Sequence, residues 1–233
     1  MMFPCFDDPT VKIITRPGLN RGHVVLARQT LTALVDKARP LMPINNLSRS
    51  LVILAVPSLF GKCIVFKQLA ICDEKVLVYN SATGWEQHRD NVVQAVSEAV
   101  IEMCFLSKFI ITEPSLRDSL SRFLGNLIVK SHRMEGNKQN LEQLMFLQSI
   151  LPTFMNDRTQ MDDFPIVASS PVNKQILLAH REVITKKAVA VWRMFYHTLG
   201  AALFKAFLQD LARQYSNKVL TFQGTISGIA QVC

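Results

Sequence analysis

A mainly α-helical fold, a multi-helix bundle with room for a small β-hairpin near residues 50–80, is what the sequence predicts. Three observations carry this expectation. Apolar residues recur at helical spacing from Gln87 to Leu151 and again from Asn173 to Tyr215. Proline stands at the edges of these stretches, at Pro114, Pro152 and Pro171, where helices start or stop. Of the 233 residues, 49% are hydrophobic and 19% charged, which gives a core to bury and too little charge for a disordered chain.

The elements follow in order. Residues 1–19 read as irregular, punctuated by Pro4, Pro9 and Pro17-Gly18, with Val11–Ile14 able to pair as a strand. Val24, Val25, Leu31, Leu34 and Val35 predict a helix from Arg21 to Lys37, ended by Arg39-Pro40, and Pro40 with Pro43 predicts an extended link. Ser50–Tyr79 stays open between strands and short buried helices. Its apolar runs, Leu51–Val56, Cys63–Phe66 and Val76–Tyr79, are too short for periodicity to separate the two. If they are strands, Asp73-Glu74 is the turn between the last pair.

From Gln87, residues Val92, Val93, Val96, Val100, Met103, Cys104 and Ile110 fall on one face of a helix that stops before Pro114. Pro114 opens the next helix, with Leu116, Leu120, Phe123, Leu124, Leu127 and Ile128 as its core stripe and a break at Gly136-Asn137. A third helix is expected over Lys138–Leu151. Residues 153–171 read as a linker, and a long helical region follows from Asn173 to Tyr215, bent at Gly200. The expected domains are 1–160, a helical domain with the small β element; 170–216, a C-terminal helical region; and 217–233, a loosely ordered tail.

Charge is unevenly placed. Residues 1–67 carry a net +6, residues 68–171 a net −4 and residues 172–233 a net +6, for +8 in all. Copies could pack head to tail, a basic end against an acidic middle. Alternatively, the two basic ends could meet an anionic surface. The C-terminal third interleaves Lys174, Arg181, Lys186, Lys187, Arg193, Lys205 and Arg213 with Trp192, Phe195, Tyr196, Phe204 and Phe207. Lys186, Arg193 and His197 share one helical face. Basic side chains beside aromatics suit phosphate backbones and anionic lipid alike, and a solvated basic face over an aromatic core is the plain alternative. Arg21 and Arg28, seven apart, mark a second basic face. The candidate anion-binding residues are therefore Arg21, Arg28, Lys174, Arg181, Lys186, Lys187 and Arg193.

Catalytic and cofactor signatures are missing. The sequence contains no HExxH, GxSxG or GxGxxG pattern and no phosphate-binding glycine loop, and its five histidines are scattered. No cofactor, metal site or enzymatic activity is expected. The five cysteines form no CxxC pair, and their odd number in a long chain argues against a disulfide scaffold. Cys63, Cys72 and Cys104 are expected to be inert core thiols in a reducing compartment. The opening MMFPCFDDPT lacks the basic start of a secretory leader, so an intracellular location is expected. Ala188–Leu208 is apolar enough to prompt a membrane check. A central Arg193 costs about 2.5–3.5 kcal/mol to insert, so the segment reads as a buried or interfacial helix and not as a span.

Lys37-Ala38-Arg39-Pro40-Leu41, followed by Leu51–Val56 and Pro57-Ser58, resembles a stretch of the orthomyxovirus (influenza-type) matrix proteins, which also place a basic residue and proline before an apolar run ending in Val-Pro-Ser. Ser131-His132-Arg133 is similar to a later Ser-His-Arg element of that family. The resemblance implies a non-enzymatic, self-assembling structural protein that binds anionic membrane and ribonucleoprotein, on membranes or in a virion. The chain departs from the family in two ways. Residues 85–110 carry only Arg89 and Lys108 as basic residues, where the family has a dense basic helix. The family's paired Cys and His reduce here to Cys104 and His132. An anion-binding surface must then come from the basic ends. Two other functions fit the same residues: a nucleocapsid-type single-stranded RNA-binding protein, and an intracellular helical adaptor with an apolar groove.

Overall fold

The computed structural model describes residues 3–4, 11–41, 51–59, 63–132, 147, 151 and 180–232. The chain is mainly α-helical and divides into two compact units. The first is Met1–Lys108 with Leu124–Val129, and the second is Phe109–Phe123 with Lys130–Cys233. The expected helix over 138–151 and the linker at 153–171 lie outside the described residues, apart from Leu147 and Leu151.

In the first unit the β element is larger than a hairpin. Strands β1 (Phe3–Pro4), β2 (Val11–Thr15), β3 (Leu51–Val56), β4 (Cys63–Val65) and β5 (Leu69–Asp73) form one sheet in the order β1-β2-β3-β5-β4. β2–β3 and β3–β5 run parallel, and β1–β2 and β4–β5 run antiparallel. β-branched residues supply the pleat, and burial alternates as the period of two requires: Val11, Ile13, Thr15 and Leu51, Ile53, Ala55 are buried. The register sets Ile13 beside Ile53, so these residues share the covered face.

Parallel pairing of β2 with β3 needs a long crossover. That crossover is a 3-10 turn, Arg21–Val24, followed by α1 (Val25–Leu41). α1 packs against α3 (Glu86–Cys104), and Leu31 and Leu34 of the one and Val92, Val96 and Val100 of the other are buried. The helix runs one residue past Pro40, beyond the expected stop. A proline in the last turn forfeits one backbone bond and leaves the preceding turns intact.

Two expectations in this region are corrected. The hairpin is β4–β5, turning at Phe66–Gln68, with Phe66 N–H donating to Leu69 O at 2.7 Å. Asp73-Glu74 is not its turn. The Asp73 carboxylate accepts from Lys75 N–H at 3.0 Å and caps the short helix α2 (Glu74–Leu77), which takes Val76 out of any strand. The cysteines are corrected as well: Cys63 and Cys72 are not free thiols but a disulfide. They are direct partners across β4 and β5, a proximity that follows from the antiparallel register and not from their spacing of nine.

In the second unit, β6 (Ile110–Ile111) pairs in parallel with β7 (Val219–Leu220). The helices here are α4 (Pro114–His132), whose Leu124–Val129 belongs to the first unit, α5 (Arg181–Gln214) and α6 (Phe222–Val232). Ile110 is thus a strand residue and not the last residue of a helical stripe. The chain leaves α3 at Phe105, where the Ser107 hydroxyl donates to Met103 O at 2.6 Å, and Ile110 N–H then donates to Lys218 O at 2.9 Å. The segment expected to be a loose tail is also ordered into β7 and α6. Thr221 Oγ1 accepts from Gly224 N–H at 3.1 Å, and the Glu113 carboxylate accepts from Phe222 N–H at 2.8 Å, so two of the donors at the start of α6 are met.

Candidate functional site

The candidate anion-binding residues divide between the units. Arg21 is exposed in the 3-10 turn of the first unit, and Arg28 is half-buried on α1. Nearby, Arg16 is held by a two-pronged contact with Glu74 at 2.8 and 3.1 Å. Lys174 lies outside the described residues. The others, Arg181, Lys186, Lys187 and Arg193, are brought together on the first half of α5.

Four of the charges at the start of α5 and on α4 neutralise one another. Arg181 grips Asp118 of α4 with both guanidinium prongs, one of them at 2.8 Å. Arg122 of α4 grips Glu182 of α5 at 2.9 and 3.4 Å. Lys186, one turn on, stands 3.7 Å from the same carboxylate. Burial pushes the Glu182 carboxyl up, but the hydrogen bonds and charges of Arg122 and Lys186 outweigh it and hold the group below the usual carboxylate range. Arg181 and Lys186 are therefore committed to the join between α4 and α5. Beyond them the balance changes: residues 183–209 contain Lys186, Lys187, Arg193 and Lys205 and no Asp or Glu. Lys187, Arg193 and Lys205 are half-buried.

The aromatic residues beside these charges form the core. Trp192 is 1% exposed; its Nε1–H donates to Ser119 Oγ at 3.0 Å, and its ring stacks on Phe222 with centroids 6.2 Å apart. Phe204 and Phe207 are buried too. The plain alternative, an aromatic core under a basic surface, describes these three.

At Gly200 the helix turns. Its backbone, at φ 76 and ψ 166, is outside helical space and open only to glycine. Nothing lies within 4 Å of where its Cβ would stand, so the demand is torsional and not steric. The effect shows in Tyr196 and Phe204. In a straight helix eight residues rise about 12 Å, yet these ring centroids are 5.4 Å apart. Phe123 of α4 closes the triangle at 5.9 Å from Tyr196 and 5.6 Å from Phe204. Folding back on this triad leaves His197, Thr198, Gly200, Ala201, Ala202 and Leu203 exposed. Met194 is 65% exposed and Leu203 46%. Sequence reasoning found the bend and read 188–208 as a buried or interfacial helix, but singled out neither Met194 nor Leu203. The acid-free run of 183–209 was the signal available.

Among the described residues no helix is long and apolar enough to cross a membrane, and no group of three or more His, Cys, Asp or Glu is placed to hold a metal. The chain matches no known protein-family profile and no characterised protein sequence.

Proposed function

We propose that this chain is a non-enzymatic, self-assembling structural protein of matrix type that attaches to anionic membrane surfaces, with its second unit acting as a helical bundle that presents the attachment face. The single observation that carries the reading is the acid-free α5 segment, residues 183–209, with half-buried Lys187, Arg193 and Lys205. Basic side chains near the headgroups attract anionic lipid at about 1 kcal/mol per Lys or Arg, and need no spanning helix. The alternation of basic ends and acidic middle supports assembly of copies. The resemblance of residues 37–41, 51–58 and 131–133 to matrix proteins points the same way. On the α5 surface the nucleocapsid reading has less support, because base stacking needs exposed rings and Trp192, Phe204 and Phe207 of that helix are buried; the exposed rings Trp85 and Phe66 belong to the first unit.

Co-sedimentation with phosphatidylserine-containing vesicles, with phosphatidylcholine vesicles and with single-stranded RNA, over a salt series, tests this. The protein is expected to pellet with the anionic vesicles at low salt. Three such charges amount to about 3 kcal/mol, so K187Q/R193Q/K205Q, which removes them, should bind the vesicles roughly 100-fold more weakly. Binding to RNA alone would transfer the assignment to a nucleocapsid-type protein. A monomer indifferent to lipid and RNA would leave the adaptor.

A further inference from the structure

We infer that the elbow of α5, residues 194–203, is a membrane wedge that enters the acyl boundary of an anionic bilayer. This rests on the membrane-attachment reading above and adds a specific mode of binding, apolar insertion in place of charge adsorption alone. Three features of the elbow fit a lipid surface. Its exposed surface is mostly apolar, with Met194, Ala201, Ala202 and Leu203 beside the polar His197 and Thr198 and Gly200 at the turn. It is preformed, because the Phe123–Tyr196–Phe204 triad fixes the fold-back. It is flanked by Arg193 and Lys205, and no carboxylate occurs in sequence between Glu182 and Asp210.

That combination matches what an interfacial anchor requires. A small apolar element binds bilayers only marginally unless a basic surface beside it supplies a second attraction. Here the apolar turn and the basic flanks are parts of one helix. An apolar elbow made for an uncharged protein groove would gain nothing from the absence of carboxylates along 183–209, and an acidic face of another copy is told from lipid by the mass measured in the absence of lipid. An anionic headgroup layer, by contrast, repels each carboxylate brought to it, so the charge pattern selects lipid as the occupant.

The test is vesicle flotation with a salt wash. The protein is bound to phosphatidylserine–phosphatidylcholine vesicles at low salt, then washed at about 1 M salt, where charge attraction is screened beyond ~3 Å. The wild type is expected to stay with the vesicles. M194E/L203E, altered at two exposed positions, should bind at low salt more weakly than the wild type because of its two added carboxylates, and be released by the wash. M194S/L203S should give an intermediate retained fraction, and circular dichroism of both variants should match the wild type. Release of the wild type by salt, or equal salt resistance in M194E/L203E, would overturn the wedge and leave electrostatic attachment standing. Failure of the wild type to bind even at low salt would remove the attachment reading and the wedge together. A lower mass of M194E/L203E in the absence of lipid, seen by light scattering, would reassign the elbow to a contact between copies and overturn the proposal.

Discussion

Cys104 sits at the end of α3 with its thiol pushed up to about 11 by burial, while the nearby Lys108 ammonium pulls the other way. The same burial lowers the Lys108 ammonium from its ordinary value. The sign for stability follows from proton counting. The folded state holds the thiol proton between about pH 9 and 11 while the unfolded chain has lost it, so this group's contribution falls as pH rises through that window. Alkylation of the Cys104 peptide by iodoacetamide, followed by mass spectrometry, should therefore rise with pH about two units later in the folded protein than in urea. Coincident profiles would mean that the thiol is solvated. Gly84 is a second position where one side chain decides a local shape. An added Cβ would meet Tyr79 Cε2 at 2.4 Å and the Asn80 carbonyl oxygen at 2.5 Å, so only glycine closes the turn that leads into α3.

At the scale of elements, the three-residue edge strand β4 has little to hold it. It has one sheet neighbour, β5, the Cys63–Cys72 bridge and contacts with α3. Cross-linking a loop of about ten residues lowers the entropy of the unfolded chain by an amount worth roughly 2–3 kcal/mol in the loop-closure account. Urea unfolding with and without reductant should show a loss of that size, and C63S/C72S should reproduce it without reductant. An unchanged midpoint would mean that the strand is held by its ladder alone. α4 and α5 are joined differently, by Arg181–Asp118 and Arg122–Glu182 around the buried Trp192–Ser119 hydrogen bond. The exposed ion pairs contribute little singly. The ring of Trp192, which is almost fully buried, contributes the larger share through its apolar area.

At the scale of the molecule, the net charges of +6, −4 and +6 along the chain govern association more than fold. If copies meet basic end to acidic middle, the attraction is screened once the Debye length drops from about 10 Å at 0.1 M salt to about 3 Å at 1 M. Light scattering of the lipid-free protein should show assemblies at the lower concentration and a smaller species at the higher. A mass that holds or grows with salt would assign assembly to apolar contacts instead.

Much of the helical content was legible in the sequence, because a stripe such as Leu116, Leu120, Phe123, Leu124 and Ile128 has a period that only a helix satisfies, and all five are buried. The bend at Gly200 was legible for a related reason: glycine alone is free to leave helical space there. The sheet was not. Leu51–Val56, Cys63–Val65 and Leu69–Asp73 are too short to show their period, and their pairing partners are set by the α1 crossover and the β4–β5 turn, which bring distant segments into register. For the same reason the Cys63–Cys72 bridge could not be read from spacing. Of the candidate surface, residue spacing and charge identified the basic C-terminal helix, α5. Which of its charges are taken up within the unit, and which apolar residues stay outside, was decided by packing: Arg181 and Lys186 meet carboxylates at the α4–α5 join, and Met194 and Leu203 are carried outward by the fold-back on Phe123. Sequence periodicity records which face of a helix is apolar, but only tertiary packing determines which part of that face finds a partner.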